Sequence, residues 1–273
     1  MNSHENVDFD VSLALSVAEG AARSAGALLR EAYWKPRQVM DKGVNDLVTE
    51  SDRASEQMIV RVLHATFPMM SIVGEEGAHI TGSDPFTWWI DPLDGTFNFV
   101  HSVPRFSVSI ACVDASGEVL AGAVYDPMFN ECFLASKGAG ATRNGVPIVV
   151  SQAARLRDSL AASGFPADLR TTDNNTQEWA AFVPRCQGMC RMGSAALDLC
   201  YVAAGRFDLY WEYGLATWDM AAGVLIAREA GGSVTYYTGQ PFDVIKSGGL
   251  LSSNGRVHAE ALEVFEAVRQ GSQ

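Results

Sequence analysis

Trp89-Ile90-Asp91-Pro92-Leu93-Asp94-Gly95-Thr96-Phe97-Asn98-Phe99 carries two carboxylates three residues apart with a proline between them. Trp88-Trp89-Ile90 has the character of a buried strand that delivers Asp91 at its end. Pro92 forces a turn, so both carboxylates and the Leu93 carbonyl can face one point. Hard divalent cations take such an all-oxygen set. Gly95 allows close approach of backbone to a ligand. The successive amides of Gly95 and Thr96 can form an anion-binding concavity, with the Thr96 hydroxyl beside it. Metal ligands and phosphate donors thus fall within six consecutive residues, 91–96. Taken alone the segment suggests only a metal, because Asp-Pro and Asp-Gly are also common surface-turn dipeptides.

Outward from this segment, apolar periodicity predicts a helix over residues 11–33 with Leu13, Val17, Ala21 and Leu28 on one face. A second helix runs from about Asp52 to Phe67 on Met58, Ile59, Val62, Leu63 and Phe67, and Pro68 ends it. Ser71-Ile72-Val73 is a strand leading into Gly74-Glu75-Glu76. Phe106–Val113 and Glu118–Tyr125 form a hairpin. Cys132–Ala135 and Val146–Val150 extend that sheet, with Asn144-Gly145 as a tight turn. The loop from Ala78 to Phe86 is either a flap over a metal site or an inert surface loop. Further on come strands at Leu160–Ser163, Asp208–Trp211, Ser233–Tyr237 and Leu250–Ser253, and a loop at 171–176. Helices follow at Ala195–Ala204, Trp218–Ala230 and Val257–Arg269. Helices and strands mixed throughout imply a layered α/β or α+β fold.

The 273 residues include 48% hydrophobic and 19% charged residues, and the net charge is −12. That charge argues against nucleic-acid or membrane-surface binding, which needs a basic face. An anionic substrate would be repelled unless bound cations reverse the local potential. No apolar run reaches membrane-spanning length. The opening MNSHENVDFD lacks the basic start and apolar run of a signal peptide. Five scattered cysteines suit reduced thiols, so a cytoplasmic protein is expected. Cys186 and Cys190 fit small buried hydrophobes better than zinc ligands.

In order along the chain stand Asp46-Leu47-Val48-Thr49 with Asp52, then Gly74-Glu75-Glu76, then Asp91-Pro92-Leu93-Asp94-Gly95-Thr96, then Trp218-Asp219-Met220-Ala221-Ala222-Gly223. In these four motifs, from about Val11 to Ala267, the chain resembles the inositol monophosphatase family of lithium-sensitive, metal-dependent phosphatases, in its bacterial form. Gly193-Ser194-Ala195-Ala196-Leu197-Asp198-Leu199 and Glu212-Tyr213-Gly214 strengthen the likeness. The resemblance implies a layered αβαβα sandwich of the inositol monophosphatase and fructose-1,6-bisphosphatase type. It implies one phosphatase domain over 1–273, with an α+β half to about residue 150 and an α/β half from 151.

It also implies roles. Glu75, Asp91 and the Leu93 carbonyl would hold one Mg²⁺. Asp91, Asp94 and Asp219 would hold a second, with a weaker third sharing Glu75, and Mn²⁺ would substitute. Gly95 and Thr96 would bind phosphate. Thr96 and Asp46 would orient and deprotonate the attacking water. Glu212 would bind substrate hydroxyls, and Gly193, Ser194 and Ala195 would line the same pocket. The expected activity is Mg²⁺-dependent hydrolysis of inositol monophosphate by metal-activated water, in a lithium-sensitive homodimer whose partner is a small phosphate monoester. No nucleic-acid or membrane partner is expected.

Other roles for these residues stay open. Asp219 could cap a helix, Glu75-Glu76 could be a solvated loop, and Lys42 could screen phosphate or sit on the surface. His101 alone among the histidines lies close to the central motif. Phe97 stands where many relatives carry a second threonine. Fructose 1,6-bisphosphate, histidinol phosphate and 3′-phosphoadenosine nucleotides are alternative substrates, since similar scaffolds handle them. A regulatory binding protein on a phosphatase scaffold is the alternative of another class.

Overall fold

The computed structural model describes residues 9–36, 39–43, 46–166, 175–246 and 248–271, with backbone alone at 41–43 and 46. In chain order the elements are α1 (Val11–Tyr33), β1 (Val39–Gly43), β2 (Asp46–Thr49), α2 (Glu50–Thr66), β3 (Ser71–Gly74), β4 (His79–Ile80), β5 (Phe86–Asp94) and α3 (Thr96–Val100). Then come β6 (Ser107–Asp114), β7 (Val119–Asp126), β8 (Glu131–Ser136), β9 (Ala141–Arg143), β10 (Val146–Ile148) and β11 (Leu160–Ser163). The remainder is α4 (Thr176–Phe182), β12 (Gly188–Cys190), α5 (Ala195–Ala203), β13 (Leu209–Glu212), α6 (Thr217–Glu229), β14 (Ser233–Tyr236), β15 (Leu250–Ser253) and α7 (His258–Gly271).

Two sheets carry the fold. An eight-stranded sheet runs β10-β9-β8-β7-β6-β5-β3-β4, and a five-stranded sheet runs β12-β11-β13-β15-β14. Helices α1 and α2 cover one face of the larger sheet. Helices α5 and α6 fill the space between the sheets, and their buried residues share one apolar core with both. Phe182 of α4 and Val264 and Phe265 of α7 pack on the outer face of the smaller sheet, against Leu209, Trp211 and Leu251. The order of layers is therefore α, β, α, β, α, as the resemblance implies.

The local chemistry differs from the sequence expectation in instructive places. The buried face of α1 is Ala14, Ala18, Ala21, Ala22, Ala25, Gly26 and Leu29, while Leu13 is 45% exposed. Small residues bring the helix axis close to the sheet: a Cβ on Gly26 would stand 2.4 Å from the Tyr125 ring. Helix α2 starts at Glu50, two residues before the expected Asp52, because Thr49 caps it and Asp52 returns the bond to the Thr49 amide. The segment Ala78–Phe86 contains β4, which pairs antiparallel with β3 at the sheet edge, and none of its residues is in the wall of the central cavity. Residues 171–174 of the expected loop lie outside the described residues, whereas Thr176 begins α4. Among the described residues no helix is long and apolar enough to cross a membrane.

Candidate active site

Strand β5 does not stop at Asp91. It continues to Asp94 through a bulge: Asp91 pairs with Ser109 and Asp94 with Ser107 of β6, so Pro92 and Leu93 together oppose Val108. This corrects the expected turn, and parity explains what the bulge achieves. In a regular strand, residues three apart point to opposite faces. One extra residue on β5 brings Asp91 and Asp94 to the same face, the one that meets α5 and α6. Proline is tolerated there because a bulge leaves a residue without a ladder bond. Leu93 turns into the core beneath α1 and α2.

The cavity at this point has a volume of about 550 Å³. Its wall includes Glu75, Asp91, Leu93, Asp94, Gly95, Thr96, Gly193, Ser194, Ala195, Glu212 and Asp219. These arrive from five separate stretches: the end of β3, the β5 bulge with α3, the start of α5, the end of β13 and the first turn of α6. Asp46 belongs to β2, but its side chain, like that of Lys42, lies outside the described residues. His101 is absent from the wall and stacks on Phe97, with ring centroids 5.8 Å apart. His258 is a packing residue on the far side, bonded to Ser253 and Thr235. Cys186 and Cys190 are half-buried free thiols.

Asp94 is held by four hydrogen bonds among the described residues. It accepts from Ser107 Oγ at 3.1 Å, from Ser194 Oγ, and from the Ala195 and Ala196 amides at 3.1 and 3.0 Å. The N-terminus of α5 therefore grips Asp94, and the Ser194 hydroxyl and Ala195 amide are engaged there although both residues line the cavity. Among the described residues Asp91 accepts a hydrogen bond from the Leu93 amide, at 3.0 Å. Asp219 accepts from the Ala216 amide at 2.8 Å, so it does cap α6, while it also faces the cavity.

Burial pushes the Asp91 carboxyl well above the usual range, and the nearby charges of Glu75, Asp94 and Asp219 push it further. Burial and then Glu75 do the same to Asp219. Asp94 is raised by burial, against the pull of its Ser194 and amide bonds. Burial drives Glu212 to about 8, with Tyr210 bonding to it.

This electrostatic strain is what bound cations would relieve. The donors are carboxylates and a carbonyl, which suits Mg²⁺ or Mn²⁺ and not zinc. Among the described residues no three His, Cys, Asp or Glu side chains stand together as a closed ligand group. The carboxylates line the cavity, with Asp91, Asp94 and Asp219 turned to their own hydrogen bonds. The site fits hard cations in donor chemistry and charge, with side-chain adjustment needed to close a coordination shell.

Gly95 has φ +92°, and a Cβ there would meet Gly193 O at 3.0 Å and Arg105 O at 3.1 Å. Glycine is thus required for conformation and for space. The Thr96 hydroxyl has two acceptors within reach, Leu93 O at 3.0 Å and Asp52 Oδ1 at 3.1 Å.

Three residues without an assigned role in the sequence analysis matter here. Asp52 accepts from the Thr49 amide at 2.9 Å and from the Thr96 hydroxyl at 3.1 Å, and so links Thr49 to Thr96; the T-x-x-D spacing of a capping box is the signal that could find it. Glu56, on the buried face of α2, accepts from the Glu76 and Ala78 amides at 2.9 and 3.0 Å and so holds the loop bearing Glu75. Arg191 lines the cavity as its one cation among the described residues.

The model of the inositol monophosphatase family matches residues 10–270. An inositol-1-monophosphatase from Synechocystis is 42% identical over 267 residues, which is 97% of this chain and 92% of that protein. The Nus factor SuhB of Pseudomonas aeruginosa is 44% identical over 92% of this chain and 95% of its own length. Among solved structures, the extragenic suppressor protein suhB from Bartonella henselae superposes with a TM-score of 0.89 at 37% identity, covering 93% of this chain and 98% of that one. An inositol monophosphatase from Anabaena gives 0.86 at 39% identity, covering 95% and 97%.

Proposed function

The chain belongs to the inositol monophosphatase family, and from that premise we propose that it is a Mg²⁺-dependent phosphomonoesterase that converts inositol monophosphate to inositol and phosphate. The observation that carries this is the sharing of one cavity by Glu75, Asp91, Asp94, Asp219 and the glycine-opened backbone at Gly95-Thr96. In the proposal, Glu75, Asp91, the Leu93 carbonyl, Asp94 and Asp219 would hold two Mg²⁺, and a weaker third would share Glu75. Such ions lower the pKa of water and neutralise charge on the attacking and leaving oxygens.

The chain's own groups do the rest. The Gly95 and Thr96 amides orient the phosphoryl group. Thr96, fixed between Asp52 and Leu93, positions the water, and Asp46 receives its proton. As the water oxygen bonds to phosphorus, the bond from phosphorus to the polyol oxygen breaks, and that oxygen takes a proton as it leaves. Glu212 binds a ring hydroxyl opposite. No side chain forms a covalent bond. Action as a lithium-sensitive, cytoplasmic homodimer belongs to the same proposal.

The test is phosphate release at fixed Mg²⁺ from inositol 1-phosphate, fructose 1,6-bisphosphate, histidinol phosphate and an adenosine bisphosphate. The highest kcat/KM is expected on inositol 1-phosphate. A tenfold or greater preference for another member would reassign the substrate. The Nus-factor name borne by relatives such as the Pseudomonas protein favours a second, regulatory role. That role would survive Asp91→Asn in a transcription assay where this chain replaces the relative's factor, whereas hydrolysis would not.

A further inference from the structure

Glu212 sits at the end of β13, two residues after Tyr210, and both face the layer between the sheets. Tyr210 is fully buried, and its hydroxyl donates to Glu212 Oε2. Among the described residues no hydrogen-bond donor reaches Oε1. Beneath the carboxyl lies Gly164, just past the end of β11. A Cβ on Gly164 would fall 1.9 Å from Glu212 Oε2 and 2.2 Å from Oε1. The Glu212 carboxyl therefore occupies the space that a side chain at 164 would fill.

The wall at Gly164 is pinned from behind. Asn175, fully buried with φ +64°, donates from Nδ2 to Gly164 O at 2.6 Å and to Ser163 Oγ at 2.7 Å. Trp211 Nε1 donates to Asn175 Oδ1 at 2.6 Å, and Ser163 Oγ donates to Trp211 O at 2.7 Å. This closed ring ties the wall to β13 itself and opposes a shift of the backbone at 164. The next residues, Phe165 and Pro166, line the cavity.

We propose that Tyr210 and Gly164 form a holder for Glu212 that sets the enzyme's preference for polyol phosphates over phosphates lacking hydroxyls. Tyr210 is a positioning residue: it claims one carboxyl oxygen and presents the other to the substrate. Gly164 supplies the space in which the carboxyl rests. The proposal depends on the phosphatase function and on hydroxyl binding by Glu212. No φ in the left-handed region is required at 164, so alanine there is conformationally acceptable and acts by displacing Glu212.

The experiment measures kcat and KM of the full chain with Mg²⁺ on inositol 1-phosphate and on p-nitrophenyl phosphate. The variants are Gly164→Ala, Tyr210→Phe, Glu212→Gln and the double variant Tyr210→Phe/Glu212→Gln. Gly164→Ala and Tyr210→Phe should each raise KM for inositol 1-phosphate roughly 5- to 10-fold, the size of one lost hydrogen bond, with a far smaller change on the aryl phosphate. Tyr210→Phe should add nothing once Glu212→Gln is present. Equal losses on both substrates, additive losses in the double variant, or an unshifted KM in Gly164→Ala would each overturn the holder while leaving the phosphatase intact. Failure of the parent chain to release phosphate from either substrate would defeat both.

Discussion

Adding Mg²⁺ to protein stripped with EDTA should raise its melting temperature, and more so at pH 8 than at pH 6. The sign follows from the carboxyls. Burial and mutual repulsion raise Asp91 and Asp219 well above the unfolded value, and burial raises Asp94. A carboxyl raised in the folded state binds protons that the unfolded chain has released, so folded stability falls as pH climbs above about 4. A cation must displace those protons, and less proton competition remains at pH 8. At one hundred times Kd a ligand of the folded state adds about 2.7 kcal/mol. For a chain of 273 residues that is roughly 5 °C, at about 2 °C per kcal/mol. Replacing Asp91 with asparagine removes the carboxylate that the other three all repel. A hundredfold weaker Kd at the same Mg²⁺ leaves about 0.4 kcal/mol, under roughly 1 °C. Differential scanning fluorimetry at both pH values reads this directly. An equal shift in parent and Asp91→Asn would refute the placement of the cations, and a larger shift at pH 6 would refute the electrostatic argument.

Gly95→Ala should cost about 1–3 kcal/mol, because alanine is strained at φ +92° and its methyl meets two carbonyl oxygens; urea unfolding measures it, and phosphate release should fall in parallel. Glu212→Gln should reduce turnover of inositol 1-phosphate more than that of an aryl phosphate, and equal reductions would count against hydroxyl binding. Burial drives Asp198 on α5 to about 8, against the pull of Arg105. Its contribution to metal-free stability is therefore present below the unfolded value near 4 and lost as pH rises through about 8. Asp198→Asn should flatten part of the fall in melting temperature between pH 5 and 8.5; an unaltered slope would show that this carboxyl is not a source of it.

The strands that bring acidic residues to the cavity were legible because each is a short apolar run ending in a carboxylate. Leu160–Ser163 and Leu250–Ser253 match their elements residue for residue. On the expected face of α1, Ala21 is buried and Val17 and Leu28 pack against the core, while Leu13 is exposed; the alanines that make most of the contact give little hydrophobic signal, yet close approach to Tyr125 demands small residues. In the sequence the bulge looks like a turn, since Asp-Pro suits both, and pairing with Ser107 and Ser109 distinguishes them. Strands β1, β2 and β12 leave little trace in the sequence, being only three to five residues long and carrying no clear alternation of apolar and polar residues. The metal-ligand candidates formed a pattern that spacing alone could expose. Asp52 stands in that pattern without a role, and Glu56 and Gly164 stand outside it, because their work lies in which backbone or carboxyl group meets them across the fold.

Hydrolysis of inositol 1-phosphate should be followed with the parent chain and Asp91→Asn, each with Mg²⁺ and then with excess EDTA. Phosphate release should occur only for the parent with Mg²⁺ and stop on chelation, while circular dichroism shows both chains folded. Substantial release by folded Asp91→Asn, or by the parent in EDTA, would contradict catalysis by cations held among these carboxylates.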